Sequence, residues 1–403
     1  MGISRYPAFP APSHLRGSET DEKLGRSAPR ERESFRRKPS SHVNANRYSI
    51  PAGPMRRHIA LRLNHEASNN RMPRAPRPNQ SRTLQDTSGV FMDDDLLSKL
   101  EQRLGRLHAR QRLGIEIDHE AQIFGQGLNF FHIENWYSIH SAIRGVLKLS
   151  GLYWRGCRNA ERIIVRTNDV FSAKLPPRFD GFTILHISDT HADISQRAMR
   201  RLVELVDGLS YDLCVWTGDF RGATYGPYNA ALKETAEIAG RLRQPVYGVL
   251  GNHDTIRMLP ALEAMGLKML QNECETIRRD DQAIHLAGID DAHYFRVDNI
   301  EKAAARVPEG AFAILLSHTP EIYRQAAHAG FDLLLSGHTH GGQICLPGSI
   351  PLTLSSKLPR RLGAGAWQHG NMAGYTSTGA GSSVVPVRFN CPPEITLHRL
   401  RRA

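Results

Sequence analysis

The sequence lacks the features of a protein that spans a membrane or is exported across one. No stretch among its 403 residues approaches the roughly 18 uninterrupted apolar residues of a spanning helix, and the first twenty lack the apolar block of a secretory signal. Cysteine is scarce too, since the five cysteines are odd in number, far apart and without a CxxC pair. We therefore predict a cytoplasmic protein with reduced thiols and no disulfide framework.

Positive charge is abundant, but it lies mostly in one part of the chain. Residues 1–90 hold 17 Lys or Arg against 7 Asp or Glu, so they carry +10 of the formal net charge of +12, and they hold ten of the 23 prolines. Without apolar periodicity, this segment is predicted to be a disordered basic leader. Its few aromatic residues form no interleaved pattern for stacking bases, so we expect no specific nucleic acid partner. Weak contact with polyanions is the alternative to a solvated tail.

Residues 91–158 are predicted to be helical. Leucines recur at helical spacing over 93–118, where Gly114 is expected to interrupt the helix. Residues 121–158 are rich in aromatic and basic side chains. This composition fits an anionic membrane surface, and it predicts a protein peripheral to the inner membrane. The alternative is a helix that packs on the rest of the chain or on another subunit.

Residues 159–403 alternate between short apolar runs and helical patterns, which is typical of α/β architecture. The predicted strands are 182–187, 213–217, 246–250, 284–289, 312–316 and 333–335, and the predicted helices are 195–209, 228–242, 256–265, 299–306 and 320–329. Open α/β sheets place their sites at the carboxyl ends of strands. The residues that directly follow each strand are therefore the candidates for function.

Polar side chains follow five of these strands. The segments are Ser188-Asp189-Thr190-His191, Gly218-Asp219, Gly251-Asn252-His253-Asp254, Ser317-His318 and Gly337-His338-Thr339-His340. Carboxylate, imidazole and amide ligands of this kind suit manganese, iron or zinc. Two such divalent ions about 3.5 to 4 Å apart can clamp both oxygens of a phosphoryl displacement. One segment alone is more typical of a turn, but the five together after apolar strands indicate a dinuclear metal site.

In this order, the five segments resemble the motifs of the calcineurin-like metallophosphoesterase superfamily. The resemblance covers about residues 160–400, and the later runs 377–381 and 386–395 are most similar to the bacterial YkuE and YaeI type phosphodiesterases. The resemblance implies a four-layer α/β/β/α sandwich with two mixed sheets. The predicted organisation is then a basic leader (1–90), a helical segment (91–158) and a metallophosphoesterase domain (159–403).

The resemblance also implies a role for each polar residue. It assigns the first metal to Asp189, His191 and His340, the second metal to Asn252, His318 and His338, and the bridging position to Asp219. A hydroxide bridging the metals is then the nucleophile, and His253 contacts the phosphate and protonates the leaving oxygen. Arg221, two residues after Asp219, is a further candidate for substrate contact, and the alternative for it is a solvent-facing side chain.

These expectations favour a metal-dependent phosphoesterase that cleaves a phosphodiester or a pyrophosphate. Two substrate classes stay open. The aromatic and basic segment fits a lipid-linked substrate, as in UDP-2,3-diacylglucosamine pyrophosphatase-like enzymes of lipid A synthesis, whereas related enzymes cleave soluble diesters. A nuclease is disfavoured because the chain after residue 90 carries only +2. A non-catalytic scaffold is disfavoured because the ligand set is complete.

Overall fold

Two six-stranded sheets form the centre of the structure, and helices cover their outer faces. The computed structural model describes residues 94–125 and 137–403, so the leader predicted over 1–90 and residues 126–136 of the aromatic segment lie outside the described residues. The helices are α1 Asp94–Leu104, α2 Arg106–Gly125, α3 Tyr137–Leu149, α4 Leu152–Ala160, α5 Gln196–Val206, α6 Asn229–Ala239, α7 Leu259–Ala264, α8 Ile300–Ala304 and α9 Tyr323–His328. The strands are β1 Ile164–Ser172, β2 Thr183–Ile187, β3 Leu213–Thr217, β4 Val246–Val249, β5 Leu267–Met269, β6 Glu273–Arg279, β7 Gln282–Gly288, β8 Ala313–Leu316, β9 Leu333–Ser336, β10 Cys345–Leu346, β11 Ile350–Pro351, β12 Gly365–His369, β13 Met372–Thr376 and β14 Glu394–Arg402.

Both large sheets mix parallel and antiparallel pairs. The first sheet has the order β1-β14-β2-β3-β4-β5, in which only β14 and β2 pair antiparallel. The second has the order β12-β13-β9-β8-β7-β6, with antiparallel pairs at its two edges. In the first sheet β2, β3, β4 and β5 run parallel, and in the second sheet β13, β9, β8 and β7 do, so the carboxyl ends of each set lie at one edge.

Side chains along each central strand alternate between two cores, as the two-residue period of a strand requires. In β3, Leu213 and Val215 enter the core between the sheets, whereas Cys214 and Trp216 enter a core shared with helices. The helices on the first sheet are α1, α2, α5, α6 and α7, and those on the second sheet are α8 and α9. This alternation produces the α/β/β/α order and confirms the predicted fold class.

Each of the six predicted strands coincides with an observed strand to within two residues at either end. The sequence analysis did not identify the strands at the sheet edges or β14. In β14, polar side chains separate the apolar ones over Glu394–Arg402, and three of these polar residues, Glu394, Thr396 and His398, are buried. Strands of this kind carry a weaker apolar signal than the central ones, because one face is partly exposed.

The two N-terminal helices share a core with the sheets. Leu100, Leu104 and Leu113 are buried in the cluster that lies on the first sheet. The prediction that Gly114 interrupts the helix is wrong, because Gly114 lies inside α2. The break falls at Gly105, whose φ of 87° is a conformation that glycine adopts without a Cβ penalty.

Helices α3 and α4 present several apolar side chains to solvent. Val146, Leu149 and Trp154 are among the exposed large hydrophobic residues, and Leu149 is 91% exposed. Gly151, with φ 73°, separates the two helices. Among the described helices, none has the length and apolar character needed to cross a membrane.

Candidate metal centre

The polar segments predicted from the sequence meet at the carboxyl ends of five central strands. Asp189 and His191 follow β2, Asp219 follows β3, Asn252 and His253 follow β4, His318 follows β8, and His338 and His340 follow β9. All eight side chains are buried, none with more than 6% of its surface exposed. Two separate sheets therefore deliver one cluster of polar groups to a single place.

Six of these residues form two compact groups of potential metal ligands. The first group is Asp189, His191 and His340, and the second is Asp219, His318 and His338; within each group the ligand atoms lie within 4.8 Å of one another. In the first group, Nε2 of His191 lies 2.9 Å from Nε2 of His340. Two ring nitrogens that face each other at this distance, both beside a carboxylate, suit a shared cation.

Asp219 lies between the two groups. Its Oδ2 is 3.2 Å from Nε2 of His318 in the second group and 3.7 Å from Nε2 of His191 in the first. Its other oxygen, Oδ1, accepts a hydrogen bond from the backbone N–H of His253 at 2.9 Å. This backbone contact fixes the carboxylate so that Oδ2 faces both groups, which is the position predicted for a bridging ligand.

Asn252 belongs to the second group by distance. Its Oδ1 lies 2.9 Å from Nε2 of His318 and 2.8 Å from Nδ1 of His338. The opposite ring nitrogen of His338 lies 3.0 Å from the carbonyl oxygen of Ser355, and Nδ1 of His318 lies 2.8 Å from the carbonyl of Thr217. These backbone partners orient the two imidazoles so that one nitrogen of each points at the amide oxygen.

Burial and mutual charge shift the pKa values in the cluster. Burial raises the pKa of Asp219, but His318 and the other nearby imidazoles outweigh burial and hold it well below its usual value. Burial lowers the pKa of His318, yet contact with Asp219 raises it to about 10. Burial also lowers the pKa values of His338 and His340 and raises that of Asp189. Asp219 is therefore charged and His338 and His340 are neutral, so each presents a lone pair to a cation, whereas His318 must release its proton to do so.

His253 lies beside both groups without being a member of either. Its Nε2 is 4.0 Å from Oδ2 of Asp219, and its ring meets that of His191 edge-on with centroids 5.1 Å apart. Its Nδ1 lies 3.1 Å from Oγ1 of Thr224. Burial lowers the pKa of His253 to about 3. The sequence analysis did not single out Thr224, because a threonine in a loop carries no motif signal.

Comparisons with known proteins agree with this geometry. The family model described as calcineurin-like phosphoesterase matches residues 182–342. The chain is 30% identical to the metallophosphoesterase YkoQ of Bacillus subtilis over 263 residues, which are 61% of this chain and 94% of the relative. It is 30% identical to YkuE of the same organism, covering 64% of this chain and 92% of the relative. The phosphodiesterase YaeI of Escherichia coli is 26% identical, over 54% of this chain and 82% of the relative.

The chain belongs to the calcineurin-like phosphoesterase family. The relatives include the YkuE and YaeI types to which the sequence motifs were compared, so the predicted resemblance is confirmed. As a calcineurin-like phosphoesterase, the chain is a phosphoric ester hydrolase. The family uses a dinuclear divalent metal centre, and the chain offers two groups of buried ligands for it.

The donor chemistry of the two groups fits divalent metals in this calcineurin-like phosphoesterase. The donors in the cluster are carboxylates, imidazoles and the amide of Asn252, and no cysteine belongs to either group. Mixed nitrogen and oxygen ligands suit transition metals, whereas a thiolate set would indicate zinc or an iron–sulfur cluster. The residues present are therefore compatible with two metal ions, and the chemistry of the donors does not single out one metal.

At two glycines of the predicted motifs, Gly218 and Gly337, the structure leaves no room for a Cβ atom. Gly218 has φ 83°, and a Cβ there would meet the backbone nitrogen of Gly251 at 2.6 Å. At Gly337 the backbone is not left-handed, but a Cβ would meet the side-chain oxygens of Ser188 and Asp189 at 1.9 and 2.1 Å. Any larger residue at Gly337 would displace the Asp189 carboxylate.

Arg221 lies near the cluster but is engaged elsewhere. Its guanidinium donates hydrogen bonds to the backbone carbonyls of Thr224, Gly226 and His253, and only 3% of the residue is exposed. The alternative of a solvent-facing side chain is therefore wrong, because these carbonyls draw the side chain inward. The contacts favour a structural role in the loop after β3, and substrate contact by Arg221 stays a prediction.

Two other buried residues, Asp254 and Arg388, form hydrogen bonds with the backbone of the loops that carry the cluster. The carboxylate of Asp254 accepts hydrogen bonds from the backbone N–H groups of Gly251, Asp219 and Phe220 at 2.8 to 2.9 Å, so it joins the loops after β3 and β4. Arg388 is fully buried and donates to the backbone carbonyls of His340 and Thr378. Arg388 falls within the run 386–395 that carried the family resemblance, but the sequence alone gave it no role.

Proposed function

We propose that this phosphoric ester hydrolase cleaves a phosphodiester or a pyrophosphate by direct attack of water, with two divalent metal ions bound by the seven predicted ligands. The proposed ligands are Asp189, His191 and His340 for the first ion, Asn252, His318 and His338 for the second, and Asp219 for both. The observation that carries the proposal is the position of Asp219 Oδ2, within 3.7 Å of a ring nitrogen in each group.

The chain's own residues have distinct tasks in this proposal. The two metals, when bound, polarise the phosphoryl oxygens and lower the pKa of water. Asp219 holds its carboxylate between the two groups through the backbone N–H of His253. His253 lies beside the cluster with one nitrogen toward Asp219 and the other on Thr224, and the negative charge of a bound phosphate would raise its low pKa, so it is placed to give a proton to the leaving oxygen. No protein nucleophile is required.

The proposed metals are manganese, iron or zinc. The donor set supports this range, because imidazole nitrogens favour these ions over magnesium and calcium, and carboxylate and amide oxygens suit manganese. A phosphodiester and a pyrophosphate would both present equivalent phosphoryl oxygens to the metals, so the site is compatible with either substrate. A lipid-linked pyrophosphate such as UDP-2,3-diacylglucosamine is the alternative to a soluble diester, and it is favoured only if the protein meets a membrane.

The first test combines metal analysis with hydrolysis of bis-p-nitrophenyl phosphate, with manganese added or chelated. We expect about two metal ions per chain and hydrolysis that chelation abolishes. Asn252→Ala removes a ligand of the second group and is expected to lose one metal and most of the activity. Asn299→Ala is the matched control, because Asn299 caps α8 and lies in neither ligand group. Full metal-dependent activity in Asn252→Ala would contradict the assignment of the second group.

The exposed face of α3 and α4 supports a second element of the proposal, an anionic membrane surface as partner. Val146, Leu149 and Trp154 are exposed, and basic side chains at Arg144 and Lys148 are exposed on the same helices. Amphipathic helices lie on bilayers with Trp at the membrane–water interface and with Lys or Arg toward anionic headgroups.

An arginine-rich groove continues this surface beyond α4. The groove has a volume of about 450 Å³ and is lined by Arg158, Arg162, Arg197, Arg200 and Arg201 together with Glu161 and Glu204. Five cations against two anions leave a local positive surplus, which complements anionic headgroups near the surface. The groove is lined by the end of α4 and the start of α5, so its basic residues begin on the helix that also carries Trp154.

Vesicle co-sedimentation tests this surface. We expect the protein to bind vesicles that contain phosphatidylglycerol and not vesicles of phosphatidylcholine alone. The double variant Leu149→Ser and Trp154→Ala is expected to lose binding, whereas Leu107→Ser, which alters an exposed leucine of α2, is expected to keep it. Equal binding by all three proteins would contradict the membrane proposal and remove the support for a lipid-linked substrate.

A further inference from the structure

Helix α2 lies outside the part of the chain that the family model matches, yet it contacts the loop that carries two proposed site residues. The match covers residues 182–342, and α2 spans Arg106–Gly125. His108, Arg112 and Glu116 are spaced four residues apart, so they lie on one face of the helix. That face meets the segment 254–256, directly after Asn252 and His253, and it also meets Asp290.

Arg112 makes the central contact. It is fully buried, and its Nη2 donates a hydrogen bond of 2.8 Å to the backbone carbonyl of Asp254. The guanidinium carbon lies 3.5 Å from the ring centroid of Phe295, so the cation rests on an aromatic face. Its Nε is 3.0 Å from Oε1 of Glu116, and its Nη1 is 3.9 Å from Oδ1 of Asp290. A guanidinium buried this deeply is tolerated because two carboxylates flank it.

Asp290 completes the ionic contact from the second sheet. Its Oδ2 lies 2.8 Å from Nε2 of His108, and its Oδ1 accepts the backbone N–H of Asp291 at 2.7 Å. Burial raises the pKa of Asp290, but the charge of Arg112, the contact with His108 and the backbone N–H of Asp291 together hold it below its usual value. The carboxylates of Glu116 and Asp290 therefore lie on either side of the buried arginine.

Glu116 makes the second connection to the loop. One of its oxygens accepts a hydrogen bond from Oγ1 of Thr255 at 2.5 Å, and the other accepts from the backbone N–H of Ile256 at 2.7 Å. Together with Arg112, these bonds hold three consecutive residues of the loop from the side of α2. The carboxylate of Asp254 in turn holds the backbone of Gly251 and Asp219, so the contact reaches the loops after β4 and β3, which carry Asn252 and Asp219.

We propose that α2 is a positioning element of the hydrolase, in which Arg112 and Glu116 fix the loop 251–256 so that Asn252 and His253 point into the metal centre. This inference rests on the proposed function, because the positions matter only if Asn252 holds a metal and His253 meets the leaving group. Arg112 and Glu116 are positioning residues, since their contacts go to the loop and not to the ligand groups. A small misplacement of reacting groups lowers the rate by up to about 100-fold.

The variant Arg112→Met tests the proposal, and Arg103→Met is its matched control. Arg103 also joins the N-terminal helices to the body, through the carboxylates of Glu263 and Glu273 and the carbonyl of Met269. It makes none of these contacts with the loop 251–256. Both variants remove one buried or half-buried arginine from the same helical pair, so both are expected to lower the thermal midpoint.

Steady-state kinetics separates positioning from stability. We expect Arg112→Met to lower kcat by about tenfold or more with little change in KM, and to lower it further for an alkyl leaving group than for p-nitrophenol. The alkyl alcohol needs a proton from His253, so it reports the position of that residue. Arg112→Lys is expected to recover part of kcat, because it keeps a donor for Asp254, and Arg103→Met is expected to leave kcat unchanged.

Two further measurements keep the outcome decisive. Hydrogen exchange of the backbone amides in 251–256 is expected to become faster in Arg112→Met and to stay unchanged in Arg103→Met. If Arg112→Met does not fold, the nearly isosteric Glu116→Gln gives the same comparison with a smaller effect. An unchanged kcat, or equal losses for both leaving groups with uniform exchange, would overturn the proposal. If the wild type shows no metal-dependent hydrolysis, the proposed function fails first, and faster exchange confined to 251–256 still identifies α2 as the element that orders the loop.

Discussion

Five of the seven proposed metal ligands have a backbone conformation that residues other than glycine rarely adopt. The positive φ angles are 50° at Asp189, 39° at His191, 54° at Asp219, 69° at His338 and 50° at His340. Each such residue costs roughly 1 kcal/mol or more, because its Cβ approaches the following carbonyl. Backbone hydrogen bonds between neighbouring loops hold the conformation, among them the bond from the N–H of His191 to the carbonyl of Asp219 at 3.0 Å. Strain of this kind concentrates where function requires a particular side-chain direction.

His253 gives the most direct prediction for a single residue. His253→Gln is expected to lower kcat by about 100-fold for a diester with an alkyl leaving group, because a general acid typically contributes a factor of that order. Metal content is expected to stay at the wild-type value, since His253 belongs to neither ligand group. Metal analysis and hydrolysis rates on the same samples measure both quantities.

The control for His253→Gln is a substitution of Thr224, whose hydroxyl contacts the imidazole of His253. Thr224→Val removes the hydroxyl that lies 3.1 Å from Nδ1 of His253 and leaves the imidazole in place, so a smaller loss of kcat is expected. Hydrolysis of the alkyl diester at the full wild-type rate by His253→Gln would show that another group protonates the leaving oxygen.

The sequence predicted which residues converge, but not what orients them. The ligands could be found because each follows an apolar strand, and parallel strands place their carboxyl ends together. Thr224 and Arg112 could not, because each acts through a backbone group or an imidazole that only the folded chain brings near. The sequence around Arg112 does not distinguish a buried arginine in a helix from an exposed one, so its role could not be predicted.

At the scale of elements, the central strands were easier to predict from the sequence than the edge strands. They were also easier to predict than the surfaces on which the helices pack. Strands buried on both faces form continuous apolar runs, such as β3 with five buried residues. Strand β1 pairs only with β14 and has one fully buried residue among its nine, so its pattern is close to that of a loop. The leucines of α1 and α2 predicted helices correctly, but an amphipathic face does not reveal which surface it packs on.

A pair of buried histidines joins the antiparallel strands of the first sheet. Nδ1 of His186 in β2 lies 3.2 Å from Nε2 of His398 in β14, and Nε2 of His186 lies 2.8 Å from Oγ1 of Thr217. Both side chains are completely buried. Burial lowers the pKa of His186 to about 3 and lowers that of His398 as well. Both imidazoles are therefore neutral in the folded protein at neutral pH.

This pair predicts a pH dependence of stability. Between about pH 3 and 6.5 the unfolded chain binds a proton at His186 and the folded chain does not, so stability falls as pH falls through that window. We expect the unfolding free energy of the wild type to lose about 2 kcal/mol more between pH 7 and pH 5 than that of His186→Gln. Urea unfolding at the two pH values measures the difference.

His328→Gln is the control for this measurement, because His328 lies exposed at the end of α9. It is expected to keep the pH dependence of the wild type. If His186→Gln kept it as well, the acid sensitivity would have to come from other groups, and neutral His186 would not be its source.

At the scale of the whole molecule, the first two helices share a core with the first sheet. Helices α1 and α2, predicted as part of a segment distinct from the catalytic domain, contribute Leu100, Leu104 and Leu113 to the core on the first sheet. Arg103 forms an ion pair with Glu273 of β6, and Arg112 lies 3.9 Å from Asp290 after β7 and donates a hydrogen bond to the carbonyl of Asp254 after β4. The docking depends on tertiary contacts between residues about 140 to 170 positions apart, which local patterns do not encode.

Each proposed metal site draws ligands from both sheets, so the metals connect the two halves of the sandwich. The first sheet supplies Asp189, His191, Asp219 and Asn252, and the second supplies His318, His338 and His340. Without cations, the cluster leaves two buried carboxylates close to several buried imidazoles, an arrangement that destabilises the folded state unless charges are matched. A ligand that binds only the folded state stabilises it by about 2.7 kcal/mol at a free concentration 100 times its Kd.

Metal removal is therefore expected to lower the stability of the whole unit. Chelation should lower the midpoint of thermal unfolding of the metal-loaded protein by about 5 °C or more, because a domain of this size shifts by a few degrees for each kcal/mol. His340→Ala, which lacks one ligand of the first group, is expected to show roughly half of the wild-type shift, since one site remains. Differential scanning calorimetry with and without chelator measures both proteins. An equal midpoint for the loaded and the chelated wild type would mean that the two sheets hold together without the metals, and it would contradict the proposed ligand set drawn from both.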